Sequence, residues 1–119
     1  MMINTITSNQ VYLVSGITDM RKAIHSLSIL VSEQLGADPF NGSVFVFCNR
    51  RRDKLKILYW ERNGFWLYYR CLEQGKFHWP MDKQPQTIAL TMRELHWLLD
   101  GLALTQQQAH PVVSGLKIN

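Results

Sequence analysis

The sequence predicts an α+β domain in which a mainly antiparallel sheet, built as a meander, is packed by two helices. Three observations predict it. The run from Ser43 to Leu72 holds the densest β-branched and aromatic composition of the 119 residues, broken only by polar connections. Apolar residues at Ala23, Ile24, Leu27, Leu30, Val31 and Leu35 recur at spacings of three and four, the mark of one buried helical face. Leu95, Leu98, Leu99 and Leu102 repeat that pattern near the C-terminus. A chain of this length makes one domain and buries a core without metal or disulfide staples. Its 46% hydrophobic and 18% charged residues are those of a globular protein.

Met1 to Gln10 is polar and is expected to be flexible, which places the domain at 11–103. Val11 to Val14 is a short strand that stops at Ser15-Gly16. A helix is predicted from Met20 to Leu35. Thr18 is its expected N-cap, because a hydroxyl there accepts from an orphan backbone N–H. Asp19 suits the positive end of its dipole. Gly36 and Asp38-Pro39 end it. Val44 to Cys48 is continuously apolar, as in a strand covered on both faces. Asn49 to Asp53 is a five-residue hairpin connection.

Lys54 to Glu61 and Phe65 to Leu72 form the next two strands, with Asn63-Gly64 as the expected turn between them. That turn pairs Arg62 with Phe65, and then sets Tyr59 against Tyr68, Ile57 against Arg70 and Glu61 against Trp66 on one face. Leu58 with Tyr69 and Lys56 with Cys71 fall on the other. Glu73 to Lys76 turns again, and Phe77 to Pro80 closes the element, since Pro80 cannot donate to a ladder. Thr87 to Leu90 is a short strand. Thr91 and Glu94 form a capping box for the second helix, expected over Thr91 to Leu102. Residues 104–119, with three consecutive glutamines, are expected to be a mobile tail.

The charge is concentrated. Of 13 Lys and Arg, nine lie between Arg50 and Lys83 together with only four acids, a local excess of five positive charges in a chain of net +4. Such a balance favours an acidic partner: nucleic acid, an anionic membrane surface or an acidic protein. Arg50, Arg51 and Arg52 sit on a hairpin tip, where planar guanidinium groups can meet phosphate oxygens or guanine edges. A solvated, solubilising loop has the same composition. Arg21 and Lys22 are oddly placed for a first helical turn, where cations are disfavoured, and this hints at anion contact. Lys54 and Lys56 extend the loop along a strand. The interleaved aromatics are expected to be sheet core, with Trp60 or Trp66 the most exposed.

Enzyme signals are poor. No phosphate loop, dinucleotide fingerprint, metalloprotease or nucleophile-elbow motif is present. The four histidines are scattered, and the acids are spread singly, so no metal-binding carboxylate cluster can be read off. Cys48 and Cys71 are expected to be buried free thiols. No cofactor is expected. Without an apolar run approaching ~18–20 residues, or a signal-peptide pattern, the expected setting is the bacterial cytoplasm and no membrane. Oligomeric state is left open.

The strings VYLVSGITDMRKAIHSL and VFVFCNRRRDKLKILYWERNGFWLYYRCLEQGKFHWP carry a family resemblance. Gly16, Thr18 to Lys22, Phe47, Asn49 to Lys56, Gly64-Phe65, Leu72-Glu73, Gly75, Phe77 and Trp79-Pro80 fall where that family has them. From about Val11 to Leu99 the chain resembles the accessory proteins encoded by the second reading frame of IS-66 type insertion sequences. These are often called TnpB, a label shared with an unrelated RNA-guided nuclease. The resemblance implies a part in DNA transposition beside a separate catalytic transposase and a further small accessory protein. It gives two expectations: a DNA-binding factor acting through Arg50, Arg51, Arg52, Lys54, Lys56, Arg21 and Lys22, or an adaptor that docks on the transposase without touching DNA. A small nuclease is the third class and is disfavoured by the scattered acids.

Overall fold

A computed structural model describes residues 10–100. Five strands form one sheet: β1 (Val11–Val14), β2 (Val44–Cys48), β3 (Lys54–Glu61), β4 (Gly64–Cys71) and β5 (Thr87–Leu90). Their order is β4-β3-β2-β1-β5. All neighbours are antiparallel except β1 and β2, which run parallel and are joined across the sheet by the first helix. That parallel pair was not foreseen from sequence, where each strand was read locally. The α+β class and the β2-β3-β4 meander are as expected.

The central strand β2 is buried at every position, so its Val-Phe-Val-Phe-Cys run feeds two cores. On one face Val11, Leu13, Val44, Val46, Leu55, Ile57 and Tyr59 pack with Leu95, Leu98 and Leu99 of α2 (Met92–Leu99). On the other, Val14, Phe45, Phe47 and Leu58 pack with Leu27, Leu30 and Val31. Period-two alternation in the strands thus meets period-3.6 stripes from a helix on each side. Cys48 is buried and its thiol is pushed up to about 12 by that burial, so it behaves as a small hydrophobe. Cys71, expected to be buried, is exposed because β4 is an edge strand.

The first helix is shorter than expected. α1 spans Ile24–Ile29 and continues as a π-helical turn over Leu30–Gln34. Thr18 is not its cap: it is buried, and its N–H donates to Cys48 O at 2.8 Å. Ala23 occupies the N-cap position with no side-chain cap. Asp19, Arg21 and Lys22 therefore precede the helix, and the dipole reading of all three falls away. The π turn shows in Leu35 N–H to Leu30 O, and Ala37 N–H to Val31 O closes the end past Gly36 at φ 64°. α2 agrees with its capping box: Thr91 Oγ1 accepts from Glu94 N–H at 3.0 Å, and the Glu94 carboxylate accepts from Thr91 N–H at 2.8 Å. Leu102, the expected mobile tail 104–119 and all of the expected flexible segment 1–10 except Gln10 lie outside the described residues, and the Gln10 carbonyl accepts from Val44 N–H at 2.8 Å.

The β3–β4 register also differs. Glu61 pairs with Gly64, so Arg62-Asn63 and not Asn63-Gly64 forms the loop. Tyr59 meets Trp66, Ile57 meets Tyr68, Leu58 meets Leu67 and Lys56 meets Tyr69. The slip is two residues, so every side chain keeps the face expected of it. Arg62 is left at φ 62°, which costs about 1–2 kcal/mol for a non-glycine residue. In return Trp60 stands opposite Phe65 with their rings 4.9 Å apart, a contact worth about 0.5–1.5 kcal/mol beyond its area. Phe40 packs on both rings, at 5.0 Å from Trp60 and 5.4 Å from Phe65, so an aromatic cluster accompanies the turn in place of the local preference of Asn-Gly. Phe77 to Pro80, expected to close the sheet element, is no strand. It crosses one end of the sheet with Phe77 and Trp79 buried, and Trp79 Nε1 donates to Val14 O at 3.0 Å.

Gly16 is where this crossing segment comes closest. Its φ is +80°, its N–H donates to Pro80 O, and a Cβ there would stand 2.8 Å from Asp82 O. Gly16→Ala is expected to destabilise by at least about 2 kcal/mol, combining a left-handed backbone with a main-chain clash. Gly75→Ala, at the same φ but with no atom within 4 Å, should lose only the conformational part, about 1–2 kcal/mol. Urea-unfolding midpoints compare them, and equal midpoints would contradict the packing role of Gly16.

Candidate nucleic-acid interface

The turn between β2 and β3 is built by Asn49. Its amide oxygen accepts from Asp53 N–H and Lys54 N–H, both at 3.1 Å, and its amide nitrogen donates to the Asp53 carboxylate at 2.8 Å. Main-chain bonds from Asn49 N–H to Lys54 O and from Arg52 N–H to Asn49 O complete it. The polar groups of residues 49 and 53 are used inside the turn, and Arg50 and Arg51 are left exposed at its tip. The Asn49 amide, with help from Lys54 and Arg51, holds the Asp53 carboxyl below its usual range. Arg52 sits at φ 60°. That conformation persists because its carbonyl accepts from Phe77 N–H at 2.6 Å while its own N–H is tied to Asn49.

A second segment lies against this turn. Ser15 N–H bonds to Gln86 O, Gly16 N–H to Pro80 O, and Thr18 N–H to the last residue of β2. Lys56 then reaches from β3 and donates to Met20 O at 2.8 Å and Lys22 O at 2.7 Å, with its ammonium 5.6 Å from the centre of the Tyr69 ring. In a helix starting at Met20 those two carbonyls would accept from residues 24 and 26. Lys56 takes them instead, which is the physical reason the helix begins late. Ile17 to Met20 form one wall of an open depression of about 690 Å³, and Asn49, Arg50, Arg51 and Lys54 form the other.

The seven expected contact residues divide accordingly. Arg50 and Arg51 are exposed, and neither has a side-chain hydrogen bond or ion pair among the described residues. Arg52, next in the turn, and Lys22, outside the lining of the depression, are half-buried. Lys54 Nζ stands 3.6 Å from the Asp53 carboxylate. Arg21 is exposed but paired: its Nε and Nη2 meet both oxygens of Asp19 at 2.6–3.0 Å. Lys56 is not at the surface as a free cation; its ammonium is committed to the main chain. Sequence reasoning missed Asn49 as the organiser of the turn and Asp19 as the anion within the depression. An Asn four residues before an Asp in a hairpin connection was the available signal for the first.

Asp19 is drawn down to about 2, chiefly by the Arg21 side chain and then by the Arg21 N–H. A depressed carboxyl stabilises the fold fully above its usual 3.8 and loses that effect as pH falls toward 2, so at neutral pH Asp19 is an anion. Among the described residues no three His, Cys, Asp or Glu side chains gather in a way that could hold a metal ion, and no helix is long and apolar enough to cross a membrane.

Lys56→Met keeps the aliphatic stem and removes the ammonium. It is expected to destabilise by about 1–3 kcal/mol, because two half-buried carbonyls lose their donor. Among the molecules that remain folded, the salt dependence of any DNA affinity should be unchanged. A reduced slope would make Lys56 a phosphate contact after all.

Comparison with known proteins adds to this geometry. The family model of the IS66 Orf2 like protein matches residues 9–109. Two curated relatives come from Sinorhizobium fredii. Uncharacterized protein y4jC is 35% identical over 100 residues, covering 84% of this chain and 85% of its own length. Uncharacterized protein y4hO is 34% identical over 93 residues, covering 78% and 80%. No solved structure matches the chain. With a family model over most of its length and two relatives of similar extent, the chain belongs to the IS66 Orf2-like family, the accessory proteins of IS66 insertion sequences.

Proposed function

We propose that the protein is a non-catalytic DNA-binding factor of transposition, acting at the ends of its element together with a separate transposase. The observation that carries this reading is the juxtaposition of the Asn49-braced arginine turn with the Ile17–Met20 segment around one open depression. Arg50 and Arg51 are presented on a turn whose other polar groups are already bonded, so little ordering is needed for them to meet phosphates. Arg52 adjoins them in the turn. Lys54 and Arg21 contribute less while Asp53 and Asp19 hold them. Lys56 contributes by holding the second segment in place. The exposed position favours backbone contact, which orients a protein on DNA, over base readout.

A second reading makes the same cations the docking surface for an acidic patch on the transposase, without DNA contact. The two separate in an electrophoretic shift series on element-end and random DNA across salt concentrations. Arg50→Ala/Arg51→Ala is expected to weaken binding at least roughly tenfold and to lower the salt slope by about 0.9 for each cation removed. Asp19→Asn, which releases Arg21 and removes an anion, should act in the opposite direction and tighten binding. If the unaltered protein binds no DNA at low salt, the adaptor reading stands in its place. Unchanged, salt-sensitive affinity in the double variant would move the contact surface elsewhere.

A further inference from the structure

We infer that the outer edge of β4 is a self-association surface, on which a second copy of the chain adds its own β4 antiparallel to form one continuous ten-stranded sheet. The sheet has two edges, and they differ. β5 has four residues and follows Pro85, the usual protection against strand addition. β4 has eight residues paired one to one with β3, without a bulge, a proline or a lysine. Among the described residues no strand lies on its outer side. Trp66 and Tyr69 on it are 53% and 54% exposed.

The direction of the free hydrogen-bonding groups follows from the register. Leu72 N–H donates to Asp53 O at 2.7 Å, in line with the β3–β4 pairing. Residues at even positions of β4 therefore bond inward to β3. Phe65, Leu67, Tyr69 and Cys71 turn their N–H and C=O groups outward, because alternate residues of an antiparallel strand bond to opposite sides.

A two-fold axis perpendicular to the sheet keeps each face continuous only if paired residues share parity. Centring the axis on Tyr68 uses the whole strand. Leu67 then exchanges bonds with the partner's Tyr69, and Phe65 with the partner's Cys71. On the α2 face Trp66 stands opposite the partner's Arg70, placing a guanidinium beside an exposed indole. Tyr68, already stacked on Trp66 at 6.3 Å between ring centres with 11° between planes, meets the partner's Tyr68 and extends the aromatic row across the axis. The only charge on the strand thus gains an aromatic partner in the dimer. A foreign extended segment would need to supply that complementarity by chance; a second copy supplies it by symmetry.

Analytical ultracentrifugation of the full chain over a concentration series tests this. The unaltered protein should show a monomer–dimer equilibrium. Trp66→Lys, which sets like charges opposite each other twice across the axis, should weaken it at least roughly tenfold. Trp66→Glu, which sets an acid opposite the partner's Arg70, should retain it. Circular dichroism checks that both variants fold, as expected for an exposed edge position. In a Cys71→Ser background, Tyr68→Cys should crosslink under oxidation, since a non-hydrogen-bonded pair on the axis brings Cα atoms to about 4.5 Å, and Arg70→Cys should not. A strictly monomeric protein, a dimer indifferent to Trp66→Lys, or crosslinking at position 70 instead of 68 would each overturn the inference.

Discussion

The ammonium of Lys56 lies between the carbonyl oxygens of Met20 and Lys22 and withholds both from helical bonding. Several features depend on that contact. It keeps residues 19–22 outside α1, so that Asp19 and Met20 line the depression beside the arginine turn instead of lying along a helix. It anchors the segment to β3, the same strand that begins at the turn. A lysine is suited to this position because its flexible stem crosses the sheet face beside Tyr69 while three donors remain for carbonyl partners. The half-buried charge is compensated by main-chain dipoles and an aromatic face, not by an acid, so it leaves the local positive excess intact.

The arginine turn depends on a separate set of bonds. Asn49 satisfies two backbone donors and one carboxylate oxygen, and Phe77 N–H fixes the carbonyl of the left-handed Arg52. The crossing segment that carries Phe77 also carries Trp79 into the α2-side core. Core packing at one end of the sheet is therefore coupled to the shape of the basic tip. The acids present are placed to moderate the charge: Asp53 lies beside Lys54, and Asp19 holds Arg21 in a bidentate pair. Such exposed pairs contribute little to stability. Their consequence is electrostatic, since they set which cations are free to meet an anion.

The parts of this structure that were legible in the sequence are those with local causes. The buried run of β2, the capping box of α2 and the five-residue connection at 49–53 follow from periodicity and turn chemistry, and the structure has each of them. The parts that were not legible have causes distant in sequence. Lys56 lies 34 and 36 positions from the carbonyls it holds. The late start of α1, the buried Thr18 and the pairing of β1 with β2 all follow from such long-range contacts. The β3–β4 register is intermediate: Asn63-Gly64 marked the right turn, but the loop lies one position earlier, with Trp60 packed on Phe65, and the pairing is displaced by two. At the site, clustering of cations was visible in the chain, whereas their division into free, paired and structural groups required the fold.

That division also bears on why the aromatics and the cations of one stretch serve different ends. Strands β3 and β4 alternate residues between two covered faces, so neither face is polar and the aromatic side chains are drawn into both cores. The alternation weakens toward the outer edge, where β4 leaves Trp66, Tyr69 and Arg70 exposed. The cations of the turn, by contrast, lie at the end of the sheet, beyond the reach of either helix. Sheet edge and sheet end are thus separate surfaces of the β2-β3-β4 meander. Pairing of two edges about a two-fold axis would place two arginine turns at opposite ends of one rigid sheet. A rigid separation restricts which pairs of anionic sites both turns can reach at once, and where they match it raises the effective concentration of the second contact without any new bond.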